Sequence, residues 1–132
     1  MGKKVVASKY RGSVEYFRVF AHLVKAAERG KTITYQEIAE IMGLPSTGSY
    51  MGRETGWMLG EISEDEHDRG RPMLSAVAIS ALGRPGRGFA DLATRLGRLP
   101  GGSTVREFWL KECECVYRTW KPAKGTKRRT GK

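Results

Sequence analysis

The sequence lacks the features that mark secreted, membrane and zinc-binding proteins. It has two cysteines in 132 residues, Cys113 and Cys115, too few for a disulfide framework or a four-ligand zinc site. No run of eighteen apolar residues is present, which argues against a membrane-spanning helix. No apolar stretch of signal-peptide length follows Lys3 and Lys4. We therefore expect a cytoplasmic protein, associated with the nucleoid if the source is bacterial, and core-filling roles for both thiols.

The motifs of the common enzyme classes are also missing. There is no phosphate-binding loop, no dinucleotide fingerprint and no recognisable set of serine, histidine and carboxylate. His22 falls near the apolar face of a predicted helix, where a packed histidine is expected rather than a catalytic base. The sequence therefore predicts a protein that is not an enzyme and uses no cofactor and no metal.

Positive charge is concentrated at the two ends of the chain. The net charge is +10, and ten of the 24 basic residues lie in residues 1–12 and 121–132, which contain no acidic residue. Residues 13–120 hold 14 basic and 14 acidic residues and are formally neutral. Basic ends of this kind give sequence-independent affinity for a polyanion, or they serve only to keep the protein in solution. We predict a basic flexible arm over 1–12, a DNA-binding domain over 13–120 and a basic disordered tail over 121–132.

Hydrophobic periodicity predicts a mostly helical start to the domain. Apolar residues at three- and four-residue steps predict a first helix that begins after Ser13 and ends at Gly30. Thr34 and Glu37 have the spacing of a capping box, which predicts a second, short helix ending near Gly43. A third helix is predicted over 50–62, with an apolar face and an opposite face that carries two aromatic residues and an arginine.

The second half of the domain predicts one strand, a loop and two helices. Residues 73–80 are apolar and bounded by proline and glycine, which predicts a strand. The glycine-rich loop 84–88 follows, then a helix over 89–96. A final helix begins at Ser103 or Thr104, where Thr104 and Glu107 have the spacing of a second capping box. This order predicts an α+β, mostly helical winged helix-turn-helix fold with a short strand and wing, in which helix 50–62 enters a DNA groove.

Three segments resemble a known family of DNA-binding proteins. The segment Gly30-Lys31-x-x-Thr34-Tyr35-x-x-Ile38-Ala39 is similar to the start of the DNA-binding domain of alkylguanine-DNA alkyltransferases and their alkyltransferase-like relatives. Gly52-Arg53-Glu54-Thr55-Gly56 resembles the recognition helix of that family, and the 72–79 segment lies where the family has its acceptor-cysteine motif. The resemblance covers roughly residues 16–119.

The resemblance implies lesion recognition without repair. In the family, the tyrosine matching Tyr35 helps to rotate a nucleotide out of the helix, and the arginine matching Arg53 fills the gap that is left. The acceptor position has no cysteine here, since residues 72–76 read Pro-Met-Leu-Ser-Ala, so alkyl transfer is not supported. Relatives that lack this cysteine bind damaged DNA, which implies recognition of a modified, damaged or distorted base by nucleotide flipping.

The candidate contacts to double-stranded DNA lie at the start of two predicted helices, on the face of the third helix and in the loop. They are Thr34, Tyr35, Ser46, Thr47, Ser49, Tyr50, Arg53, Trp57, Arg84 and Arg87. Structural roles compete with these assignments. Arg53 could pair with Glu54 or Glu61, Trp57 could pack beneath the wing, the serines and threonines could cap helices, and the loop arginines could be solvated.

The acidic run over 61–68 leaves two other functions open. Its carboxylates could bind a divalent cation for a nuclease, or present an acidic surface to a basic protein partner. Acids at the end of a helix are poorly placed for its dipole, which favours solvation or pairing with Arg69 and Arg71. We also expect the third helix to break near this run.

Overall fold

A computed structural model of the chain describes residues 8–45 and 47–122. These residues form five α-helices and a two-stranded parallel sheet, which confirms a mostly helical α+β architecture. The elements are α1 Val14–Glu28, β1 Ile33–Thr34, α2 Tyr35–Met42, α3 Gly48–Asp68, β2 Ala78–Ile79, α4 Gly88–Arg95 and α5 Val105–Trp120. Across these described ranges, no helix has both the length and the apolar character needed to cross a membrane.

Local sequence signals place the ends of several helices. The Ser13 side chain accepts the amide hydrogen of Tyr16 and caps α1. Thr34 with Glu37 at the start of α2, and Thr104 with Glu107 at the start of α5, form reciprocal capping boxes. Each box satisfies backbone amides that have no partner within the helix. The predicted caps are therefore confirmed at all three helix starts.

The predicted strand over 73–80 is wrong in most of its length. Residues Leu74–Val77 form a single 3-10 turn, and only Ala78 and Ile79 pair with β1, in parallel register with Ile33 and Thr34. Here the backbone amides donate to side chains instead of to a neighbouring strand. The Ser75 amide donates to Ser63 Oγ at 3.0 Å, and the Met73 amide donates to Glu112 Oε2 at 2.8 Å. The segment is apolar because helices surround it, and apolar runs alone do not distinguish a strand from another buried segment.

The third helix is longer than predicted, because α3 continues without a break through the acidic run to Asp68. Together α2, the turn around Gly43 and α3 have the order of a helix-turn-helix. Gly43 adopts a left-handed conformation with φ of 76°, which glycine allows without strain. Within the described residues the sheet is parallel and contains only β1 and β2, so the loop after β2 is not the antiparallel hairpin of a standard wing.

The hydrophobic core lies between α1, α3, α5 and the 3-10 turn. Its largest fully buried apolar side chains come from these elements, from α2 and from Met73 just before the turn: Val19, Leu23, Ile38, Met58, Ile62, Met73, Leu74, Val77 and Val116. The apolar face predicted for α3 consists of Met51, Thr55, Met58, Leu59 and Ile62. It is confirmed for the last four, which are buried, and Met51 is half-buried. This packing fixes α3 on one side and leaves the opposite side of its first half towards solvent.

Residues 8–12, which we assigned to a flexible arm, pack against α3. The Glu61 carboxylate accepts the backbone amides of Lys9, Tyr10 and Arg11 at 2.6, 2.9 and 2.8 Å. Glu54 accepts Lys9 Nζ at 2.7 Å and the Tyr10 hydroxyl at 2.5 Å. This part of the arm is thus joined to the domain, while residues 1–7 and 123–132 of the basic ends lie outside the described residues.

Candidate nucleic-acid interface

The exposed face of α3 carries the residues that the sequence singled out. Tyr50 has 48% of its surface exposed, and the Arg53 side chain has 61%. The Arg53 guanidinium lies 5.1 Å from the centre of the Tyr50 ring and 3.3 Å from a Glu54 carboxylate oxygen. Only the arginine of this pair is exposed, because the Glu54 side chain is 2% exposed and also accepts Lys9 and Tyr10. Arg53 therefore has both the expected internal partner and a guanidinium that a ligand can reach.

Trp57 stands one turn further along the same face and is half-buried. Lys9 Nζ lies 4.5 Å from the centre of the indole ring, close enough for a cation–π contact. The ring also forms part of a cleft beside α3. Trp57 thus combines a packing role, supplied by the docked Lys9, with a position on the candidate interface.

The beginning of α3 is suited to an anion. Thr47 is its N-cap residue but makes no side-chain capping bond, and the first turn contains no acidic residue. Thr47 and Ser49 are exposed, whereas Ser46 lies outside the described residues. The amides of an uncapped first turn point outward and favour a phosphate oxygen. The structure therefore does not support the alternative that the Thr47 side chain caps α3.

Tyr35 joins α2 to the glycine-rich loop. Burial raises the pKa of its hydroxyl, and a backbone hydrogen bond with Gly86 partly offsets this. A Cβ atom added to Gly86 would overlap the Tyr35 ring, so only glycine permits this close approach. The Thr34 hydroxyl is occupied in the capping box, where it accepts the Glu37 amide at 3.1 Å. These two residues hold the loop and the start of α2 in place beside the cleft.

The loop over 84–88 presents two arginines. Arg84 and Arg87 are exposed, and neither forms an ion pair with any residue that the structure describes. A tight turn shapes the loop entry, because the Ser80 amide donates to the Arg84 carbonyl at 2.7 Å. Neither guanidinium group therefore has an acidic partner in the described part of the chain.

A cleft of about 260 Å³ separates α3 from the loop and α4. Its lining comes from α3, the 3-10 turn, α4 and Tyr35: Tyr35, Gly56, Trp57, Leu59, Gly60, Ser75, Gly88, Phe89, Asp91, Leu92 and Arg95. Gly52, Gly56 and Gly60 recur every fourth residue along α3, and a Cβ atom at any of them would meet no atom within 4 Å. The α3 side of the cleft thus has open positions at Gly56 and Gly60 beside the side chains of Trp57 and Leu59.

Most of the acidic run is internal, and Asp68 at its end is exposed. Glu61, Glu64 and Glu66 are at most 3% exposed. Glu66 forms a two-point contact with Arg71, at 2.8 and 2.9 Å, and a third contact with Arg69 at 3.1 Å, which confirms the pairing alternative. Glu64 contacts Arg11 at 2.7 Å and Arg95 at 3.0 Å.

Asp65 is held in the same way, by Arg11 Nε at 2.9 Å and the Tyr16 hydroxyl at 2.5 Å. No group of three or more potential metal ligands comes together in the parts of the chain that are described. The carboxylates of this run therefore bind α3 to the neighbouring parts of the fold. The sequence did not indicate this, because acidic residues are normally expected at the surface.

Sequence reasoning also missed residues around the loop. Arg106 and Trp109, from the start of α5, lie beside Arg84 and Arg87 and line a second cavity. The sequence placed both on a helix but gave no signal that this helix packs next to the loop. Cys113 packs in the core as expected, with Sγ 3.3 Å from the Ala76 carbonyl oxygen, and Cys115 is half-buried.

Comparison of the chain with protein-family models, with curated proteins and with solved structures gave no significant match.

Proposed function

We propose that this protein binds duplex DNA without catalysing a reaction, with the exposed face of α3 in a groove and the 84–88 loop on the backbone. The observation that carries the proposal is the Arg53 guanidinium, exposed at the centre of a helix face whose opposite side is fully packed. A planar cation on a rigid helix suits either groove, by hydrogen bonding to base edges or by filling a gap in the base stack.

The surroundings of Arg53 supply backbone contacts. The uncapped start of α3 lies one turn before it, and amides at helix starts are common phosphate ligands. Arg84 and Arg87 have no internal partner among the described residues, so an external anion can satisfy them. In this arrangement the loop takes the place that a wing has in winged helix-turn-helix proteins, although it lacks the hairpin.

Recognition of a modified, damaged or distorted base is the sharper form of the proposal. The resemblance implies that Tyr35 promotes nucleotide rotation and that Arg53 fills the resulting gap. The cleft beside α3 supports this idea, because Trp57 and the open glycine positions border a space next to the helix that would enter the groove. Extrusion costs a few kcal/mol and least at a damaged or mismatched site, so flipping predicts a preference for lesions.

The nuclease and the protein-interaction alternatives rest on the acidic run. The buried members of that run accept hydrogen bonds from arginines and backbone amides, so they hold the fold together in the described structure. Nothing about their geometry favours either alternative over DNA binding.

The test measures duplex affinity against salt with the full chain, by fluorescence anisotropy of a labelled duplex. We expect Arg53→Ala to weaken binding tenfold or more. Arg18→Ala is the matched control, because Arg18 is exposed on α1 and has no ion pair within the described residues; it should change affinity less than twofold. Equal losses in the two variants would contradict the recognition-helix role.

Two further experiments test the contribution of the basic C-terminal end and the preference for a lesion. Replacing Lys124, Lys127, Arg128 and Arg129 by glutamine should reduce the salt slope by up to about 0.9 for each phosphate that these side chains neutralise. If all binding disappears with these four charges, contact through α3 is refuted. A duplex with a modified or mismatched base should bind about 30-fold tighter than an intact duplex, equivalent to about 2 kcal/mol. Equal affinity for the two duplexes would refute nucleotide flipping.

A further inference from the structure

A second cavity, of about 290 Å³, lies between the 84–88 loop and the start of α5. Its lining consists of three arginines, a tryptophan, and small or apolar residues: Arg84, Pro85, Gly86, Arg87, Ala90, Val105, Arg106 and Trp109. The volume lies at the lower end of the range for small-molecule sites, roughly 300 Å³ and upward. It therefore suits a ligand the size of one nucleotide rather than a large cofactor.

The charge of this cavity is positive and uncompensated. Arg84, Arg87 and Arg106 are all exposed, and none of them forms an ion pair with another described residue. No acidic side chain is among the lining residues. Three arginines that line one small cavity repel one another, and phosphate is the anion that their planar, multi-donor guanidinium groups match best.

Two of these arginines occupy positions that are unfavourable for the helices they belong to. Arg87 is the N-cap residue of α4, which has no side-chain capping bond, and Arg106 is the second residue of α5. Cations near a helix N-terminus are destabilised by the helix dipole. The same dipoles add positive potential to the cavity and favour a bound anion.

Trp109 gives the cavity a rigid aromatic wall. Its indole Nε1 donates to the Ala76 carbonyl at 2.8 Å, which fixes the ring, and the ring is only partly buried. Aromatic faces beside arginines are the usual means of stacking a nucleobase next to its phosphate. The cavity thus offers a stacking surface and an anion site within one small space.

We propose that this cavity binds one phosphorylated nucleotide, with its phosphate among Arg84, Arg87 and Arg106 and its base against Trp109. The nucleotide can be free in solution or can be the 5′-phosphorylated end of a strand, because both present the same phosphate and base. The inference shares Arg84 and Arg87 with the proposed function but does not rest on it, since the cavity uses neither α3 nor a duplex.

The first experiment titrates the full chain with dAMP, with deoxyadenosine and with inorganic phosphate, by isothermal titration calorimetry. We expect dAMP to bind at least tenfold tighter than either fragment. Arg106→Gln should weaken dAMP binding tenfold or more. Lys111→Gln is the matched control, because Lys111 is an exposed cation on the same helix and does not line the cavity; it should change affinity less than twofold.

The controls keep folding apart from binding. Arg106 makes no ion pair in the described part of the chain and lies at an unfavourable end of the α5 dipole, so its replacement should not lower the thermal unfolding midpoint. The inference is overturned if dAMP shows no saturable binding at millimolar concentration, if phosphate alone binds as tightly as dAMP, or if Arg106→Gln and Lys111→Gln lose affinity equally.

A second pair of ligands separates the two sources of the nucleotide. A short single strand with a 5′-phosphate should bind tighter than dAMP and than its 5′-hydroxyl counterpart if the cavity holds strand ends; it should bind no tighter than dAMP if the cavity holds free nucleotides. Arg53→Ala should leave dAMP affinity unchanged. A protein that binds dAMP but no duplex would support this inference and refute the proposed function.

Discussion

Glu61 offers a direct test of how α3 is fastened to the rest of the protein. Its carboxylate is fully buried and accepts the backbone amides of Lys9, Tyr10 and Arg11. Glu61→Gln preserves the shape of the side chain but replaces one acceptor oxygen by an NH2 group. If the remaining oxygen keeps Tyr10 and Arg11, the amide nitrogen of the glutamine faces the amide of Lys9, and two donors then oppose each other.

The expected loss of stability follows from these three bonds. A buried donor without an acceptor costs about 1–3 kcal/mol, and hydrogen bonds to a charged group contribute about 1.5–3 kcal/mol each, roughly twice the neutral value. The Lys9 amide is only part-buried, so its loss lies at the lower end of that range, and together with two weakened bonds it gives a decrease of about 3 kcal/mol in the free energy of unfolding. For a chain of this length that corresponds to roughly 10–15 °C in the thermal midpoint.

Urea unfolding followed by circular dichroism measures this change. Glu40→Gln is the matched control, because Glu40 is exposed on α2 and has no ion pair within the described residues. The free energy of unfolding of this variant should be within about 0.5 kcal/mol of the wild-type value. If the two variants unfold at the same urea concentration, the hydrogen bonds of the Glu61 carboxylate to residues 9–11 do not stabilise the protein.

Two other measurements probe buried groups. Hydrogen bonds from Lys9 and Tyr10 lower the pKa of Glu54 to about 2, below the value of about 4.3 in an unfolded chain, so this carboxylate stabilises the protein above pH 5 and loses that effect as the pH falls towards 2. Urea midpoints should therefore decline less steeply over this interval in Glu54→Gln than in the wild type, and parallel declines would contradict the assignment. Burial raises the pKa of the Cys113 thiol to about 11, so iodoacetamide at pH 8 should modify Cys115 well before Cys113 in the folded protein. Mass spectrometry of the digested protein checks this order, and similar rates at both thiols would show that Cys113 is accessible.

Short-range signals predicted the helices well. The capping boxes at Thr34 and Thr104 and the apolar periodicity of α1 depend on residues within one or two turns, and the structure has them where the sequence placed them. The exposed face of α3 followed from the same periodicity, and Tyr50 and Arg53 lie on it. Whether that face binds DNA stays a prediction.

Long-range pairings are what the sequence did not reveal. Glu61 and Lys9 are 52 positions apart, and nothing near either residue indicates the other. The expected local pairing is confirmed for Glu66, but Glu61, Glu64 and Asp65 contact residues that are far away along the chain. The strand over 73–80 failed for a related reason, because its backbone is satisfied by Ser63 and Glu112 from two different helices. Arg106 lies beside Arg84 and Arg87 because the start of α5 packs next to the loop, which no local sequence pattern indicated.

The glycines along α3 have a consequence for the energetics of the helix. Gly52, Gly56 and Gly60 lie inside a 21-residue helix, where each glycine costs roughly 0.5–1 kcal/mol relative to alanine. None of them is required by a close contact or by a positive φ in the described structure. Alanine at all three positions would raise helix stability by about 2 kcal/mol. The α3 helix is thus less stable than it would be with alanine at these positions, and no contact within the described structure explains the three glycines.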